Sequence, residues 1–331
     1  MTPLFSPRLA ALACAAAALA QPAFAQASPE APAPAQTLAV ETATPAMWRV
    51  TDADSDYVLV GTFHIPPPGL DWRTDALDAA FEAAETVYFE LDADAPDAAS
   101  KTLNTVKTKG FNPPGTTLSG LLKDADAEKL KEITAGLKLP FAAIDTMRPW
   151  NAFLTLSVQF IVNQGFDPGA GVDSVLLKEA KMRKKDVRFF ETIEEQLALF
   201  TGLDSETEMN LLLLTLHDWD KQEALFDDLF RAWAAGDADF IDVEMNGDMR
   251  EQTPAVYDRL IVARNKVWAK ELDAALKNES GKGFVAVGAA HLVGAETSVP
   301  ALLAARGYTV TRYGVDAETA SGPANDNAPV E

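Results

Sequence analysis

Only three histidines occur in this chain of 331 residues, and two of them stand in matching surroundings. Tyr57-Val58-Leu59-Val60-Gly61-Thr62-Phe63-His64-Ile65 and Phe284-Val285-Ala286-Val287-Gly288-Ala289-Ala290-His291-Leu292 follow one template: four strand-forming residues opened by an aromatic, then Gly-x-x-His, then an aliphatic. A glycine ending a strand can take backbone conformations barred to other residues. Gly61 and Gly288 are therefore expected to turn the chain sharply, leaving each imidazole over the carboxyl edge of a sheet, where open α/β sheets bind ligands. Two carboxylates are expected on the same rim, Glu90 after the run Thr86-Val87-Tyr88-Phe89 and Glu191 after Val187-Arg188-Phe189-Phe190. Two neutral imidazoles with one or two carboxylates suit a divalent ion such as zinc, manganese or cobalt, with one position open for water. Such an ion brings the pKa of its water to about 7 and polarises a carbonyl, the chemistry of amide or ester hydrolysis. The bland alternative makes each histidine a satisfied core residue and each glutamate a helix cap. A matched pair in so histidine-poor a chain argues against it. His217, in a helical run beside Asp218, reads as a surface residue.

The elements that must position these groups are legible as patterns. Met47-Trp48-Arg49-Val50 and Tyr57-Val58-Leu59-Val60 flank a polar turn and predict a hairpin. A helix over residues 77–85 then leads to the strand ending at Glu90, a unit that normally gives two parallel strands with a right-handed crossover. Residues 98–165 and 205–278 are helical in pattern, broken at Asn112-Pro113-Pro114-Gly115, Arg148-Pro149, Gly236 and Thr253-Pro254. Between these blocks Val187-Arg188-Phe189-Phe190-Glu191 predicts a third core strand, and Thr192-Ile193-Glu194-Glu195 has the form of a capping box. Phe284-Val285-Ala286-Val287, a helix over 299–306 and a strand over 307–312 close the domain. The expected fold is α/β, with a central mixed β-sheet built from both chain ends and large inserted helical blocks.

The ends and the composition narrow the function classes. Arg8, an apolar run over residues 9–20 and Ala23-Phe24-Ala25 form a signal peptide, with cleavage expected after Ala25 into the periplasm or beyond. Cys14 falls within that apolar run, so the mature chain has no cysteine and no disulfide. Residues 26–45 and 315–331 are low in apolar periodicity and are expected as a linker and a tail around one domain over 46–314. The formal charge is −21, and losing Arg8 makes it −22. Such a field repels phosphate backbones, so nucleic acid is not an expected partner. No stretch of the mature chain is long and apolar enough to span a membrane.

With these motifs in view, the chain resembles the TraB/PrgY/GumN family, in its bacterial GumN-like branch, related to the Tiki metalloproteases and more distantly to erythromycin-esterase and ChaN-like proteins. The matching pieces are the two Gly-x-x-His segments, Val87-Tyr88-Phe89-Glu90, Gly171-Val172-Asp173, Glu191-Thr192-Ile193-Glu194-Glu195-Gln196 and Arg264-Asn265. The resemblance implies an erythromycin-esterase/ChaN-like sheet and a metal core of His64, Glu90 and His291. It further implies Glu191 as another ligand or the general base, and Arg264 and Asn265 as groups that hold substrate or an oxyanion. Asp173 is expected to cap a helix. The implied function is an exported metal-dependent hydrolase, peptidase-like, acting on a peptide or other small carbonyl substrate. The alternative is a non-catalytic periplasmic protein of the same fold that binds haem, metal or peptide.

Overall fold

A computed structural model describes residues 40–314; the expected signal peptide, the first part of the linker and the C-terminal tail lie outside the described residues. Six strands form one sheet: β1 (Met47–Thr51), β2 (Ser55–Thr62), β3 (Thr86–Phe89), β4 (Asp186–Phe189), β5 (Gly281–Gly288) and β6 (Thr309–Tyr313). Their order is β4-β3-β5-β2-β1-β6. The four strands β4, β3, β5 and β2 are mutually parallel, while β1 runs antiparallel to both β2 and β6. The sheet is thus mixed and drawn from both halves of the chain, within an α/β fold rich in helices, as its patterns predict.

Two details differ from the sequence expectation. β2 and β3 are parallel, but β5, arriving from near the C-terminus, lies between them. The strand before Glu191, expected in the core, is the edge strand β4, and none of its residues is fully buried. Its apolar residues, Val187 and Phe189, pack only partly against the core.

Alternation along the strands builds the core. Val58, Val60, Val87, Phe89, Phe284 and Ala286 face one layer, and Tyr57, Leu59, Tyr88, Val285 and Val287 face the other. The first layer holds α1 (Asp75–Ala83), α4 (Pro149–Asn163) and α5 (Val172–Met182), with Phe81 of α1 packed edge-on against Phe284 at 5.3 Å. Of the helices between them, α2 (Ala98–Lys109) and α3 (Asp124–Gly136), both lie in the first predicted block. After β4 come α6 (Ile193–Thr201), whose capping box from Thr192 to Glu195 forms as predicted, α7 (Ser205–His217) and α8 (Gln222–Ala235). The chain then turns at Gly236, with φ of +69°, and passes through two single turns of π-helix, Asp242–Gly247 and Asp258–Val262. The second of these leads into α9 (Ala263–Asn278), which with α10 (Val299–Ala304) covers the other face of the sheet.

The two motif strands pair directly, Gly61 beside Val287 and Thr62 beside Gly288. Motif-equivalent residues are therefore offset by one position, and a one-residue offset places equivalents on opposite faces. Leu59 and its template partner Ala286 do face opposite layers. The echo in sequence is not a symmetric repeat in space.

Candidate active site at the carboxyl edge

Because the motifs run on opposite faces, each histidine is held by a different helical layer. His64 is met by α5: its Nδ1 lies 2.9 Å from Asp173 Oδ1. Gly171 makes this approach possible, since a Cβ there would lie 2.5 Å from the His64 carbonyl oxygen. Asp173, expected as a helix cap, makes no capping bond and serves the histidine instead. His291 is met by α9: its Nδ1–H donates to Asn265 Oδ1 at 2.6 Å, and its Nε2 accepts from Arg264 Nη1 at 2.9 Å. Asn265 spends its own amide hydrogens on the carbonyls of His291 and Thr297. The Trp268 ring, one turn along α9, lies 4.4 Å from the His291 ring and 4.6 Å from the Arg264 guanidinium.

Glu90, just past β3, sits between the two histidines. Its Oε1 accepts from the Gly288 amide at 2.7 Å and lies 3.8 Å from His64 Nε2. Its Oε2 accepts from Arg264 Nη2 at 2.7 Å and from Gln196 Nε2 at 3.2 Å. Glu191 takes the other side of the guanidinium, with Oε1 2.7 Å from Arg264 Nε, Oε2 3.1 Å from Nη2, and the Trp268 indole N–H on Oε1. Arg264 gives its last hydrogen to the Leu260 carbonyl in the π-turn. A guanidinium has five N–H donors, and all five of Arg264 are engaged. In this arrangement neither Arg264 nor Asn265 has a side-chain N–H left over, and both bind other residues of the cluster rather than presenting a free donor as expected from the sequence.

Charge follows from this arrangement. Burial alone would lower the pKa of His64, but the Asp173 carboxylate, and then Glu90, raise it to about 9. Burial, and then the Arg264 charge, lower that of His291 to about 3, so it is neutral in its two fixed hydrogen bonds. Burial would raise Glu90, yet Arg264 brings it down to about 2. For Glu191 burial outweighs its share of the same cation, and its pKa is raised.

The glycines act through the space they leave rather than through their turn. Neither Gly61 nor Gly288 has positive φ, which corrects the sharp-turn expectation. A Cβ on Gly61 would lie 3.0 Å from Ala289 Cα, and one on Gly288 would lie 3.2 Å from both Glu90 Oε1 and His64 Nε2. Beside this point is a cavity of about 50 Å³ lined by both motif loops and by α8 and the first π-turn. Two buried polar atoms of its lining residues have no hydrogen-bond partner, His64 Nε2 and Thr62 Oγ1. The sequence patterns give no role to Thr62, an x position of its motif, or to Gln196 and Trp268. Trp268 lies at the i, i+4 spacing from Arg264 and could have been found that way.

His64, Glu90 and His291 do converge, as the motif pairing predicts. They do not fit a divalent ion as a set of three ligands: the His291 lone pair is taken by Arg264, and the guanidinium holds the centre of the cluster. Among the described residues no group of three or more His, Cys, Asp or Glu is arranged to hold a metal. His217 is exposed and bonded to Asp126, 2.8 Å away.

A mixed sheet with helices on both faces defines an α/β protein, and its buried His-Glu-Arg-His cluster lies over the carboxyl edge, where open sheets of this class bind ligands. The model of the TraB/PrgY/gumN family matches residues 46–312, and the chain belongs to that family. No curated protein and no solved structure matches it.

Proposed function

We propose that the protein is an exported hydrolase of a peptide or other small carbonyl substrate, with His64 as the group that moves the proton. The observation that carries this reading is the state of the His64 ring: one nitrogen fixed by Asp173, the other buried, unpartnered and among the groups lining a cavity. This is the base-and-orienter arrangement that activates a nucleophile. In its neutral form Nε2 takes a proton as a water oxygen bonds to the substrate carbonyl carbon. The same nitrogen then returns that proton to the leaving nitrogen or oxygen as the bond from that atom to carbon breaks. Thr62 Oγ1–H is free to donate to the carbonyl oxygen, where negative charge develops. Arg264 keeps Glu90 and His291 fixed around the reacting group. A cavity of about 50 Å³ is far smaller than one of roughly 150 Å³ that accepts benzene, which supports a small substrate over a haem macrocycle.

One observation favours a metal-dependent variant of the same hydrolysis. His64 Nε2 and Glu90 Oε1 face each other over Gly288 with no side chain between them, which gives two donors for a divalent ion that would polarise the carbonyl. Arg264 would have to release His291 to supply a third. Hydrolysis of a peptide and ester panel by the purified protein, before and after chelation, decides between the variants. His64→Gln is expected to abolish turnover with unchanged circular dichroism, and chelation to leave turnover intact. Loss on chelation with recovery on adding manganese or zinc would establish the metal variant, and full activity of His64→Gln would overturn both.

A further inference from the structure

The cavity beside His64 carries information about substrate that the catalytic groups do not. Its polar side chains are Thr62, His64 and His291, and the other side chains that line it are apolar. Phe63, Phe226 and Trp233 all line it, and the Phe63 ring packs against the other two, 6.0 Å from Phe226 and 5.2 Å from Trp233. Trp233 is further pinned by its indole N–H on the Gly61 carbonyl at 2.8 Å. Met245, half-buried on the π-turn, also lines the cavity, and its unbranched side chain is the adaptable part of the wall.

We propose that this cavity receives a small aliphatic group borne next to the scissile carbonyl, and that Met245 sets the upper limit of its size. The inference rests on the hydrolase reading for its chemistry and on the cavity alone for its selectivity. A water needs roughly 10–15 Å³ of such space, and benzene occupies a cavity of roughly 150 Å³. At about 50 Å³ the pocket takes a methyl to isopropyl group and rejects an aromatic ring. An occupant of that size places its carbonyl beside His64 Nε2 and Thr62 Oγ1, the two buried atoms that otherwise have no partner. The matching substrates are esters or peptides whose acyl side carries an alanine- or valine-like chain.

The test uses the full chain with p-nitrophenyl acetate, isobutyrate and phenylacetate, together with binding of isobutyramide and phenylacetamide followed by ligand-observed NMR. The wild type is expected to favour isobutyrate over phenylacetate by at least about tenfold in kcat/KM, the scale a hydrophobic pocket discriminates. Met245→Ala, folded by circular dichroism, is expected to reverse that order. If no ester is cleaved but the amides bind in the same order and Met245→Ala inverts it, the pocket stands and the hydrolase reading falls. Equal handling of both acyl groups by the wild type, or an order unmoved in Met245→Ala, would overturn the pocket.

Discussion

The Asp173–His64 contact sets how the site responds to pH. The folded pKa of His64 is raised to about 9 from an unfolded value of 6.5. Its contribution to stability is therefore fully present below pH 6.5 and is lost as pH rises through 9. Denaturant midpoints compared with those of His64→Gln should show the wild type losing on the order of 3 kcal/mol across that window. The same titration frees the base, so kcat/KM should climb toward pH 9. In Asp173→Asn, which lacks the charge, that limb should move to lower pH; a limb that stays in place would remove His64 from the proton transfer. Arg264 offers a separate test. Among the described residues it is the only cation hydrogen-bonded to both Glu90 and Glu191, and Arg264→Met takes it away from the buried Glu90 and the part-buried Glu191. Breaking a buried pair costs about 3–5 kcal/mol, and chemical denaturation should register a loss of at least that size. The histidines are legible because a repeated motif in a histidine-poor chain marks them, and the glutamates because each ends a strand-forming run. Asp173 and Arg264 were not placed correctly, because an acidic residue in a helix's first turn and an Arg-Asn pair in a helix have ordinary roles. What decides otherwise is contact with residues 109 and 174 positions away.

At the scale of elements, the hairpin, the capping box and the helical blocks follow their periodicities. The order of strands does not, since nothing local in β2 or β3 says that β5 will enter between them. The close fit between elements rests on residues without side chains. Gly171 lets α5 start directly against the end of β2, and Gly171→Ala brings a methyl to 2.5 Å from the His64 carbonyl oxygen. Overpacking against backbone costs about 1–3 kcal/mol, and a thermal melt should show that loss together with weakened turnover, because His64 and Asp173 are pushed apart. Turnover equal to wild type in this variant would show that the α5 contact does not position His64. The two π-turns belong to the same account, for wide helical turns recur at functional sites. One offers Asn246 Nδ2 to the Ala290 carbonyl and the other offers the Leu260 carbonyl to Arg264.

For the whole molecule, the N-terminal sequence predicts passage out of the cytoplasm. Cell fractionation should place the mature chain in the periplasm or medium, beginning at Gln26 on N-terminal sequencing; a protein retained in the cytoplasm with Met1 intact would overturn that reading. No helix among the described residues is long and apolar enough to cross a membrane. The central position of β5 has a consequence in time. β2 and β5 are neighbours in the sheet, with Ser55 beside Gly281, yet 226 residues separate them (281 minus 55). Pairing across so long a span is slow, and until β5 has emerged β2 and β3 have no strand to join them. A chain made only as far as β4 carries His64, Glu90 and Asp173 but lacks His291 and Arg264, the strongest offset to the Glu90 charge. The cluster at the carboxyl edge is therefore completed only after α9 and β5 have been made, and a chain that lacks them holds only part of it.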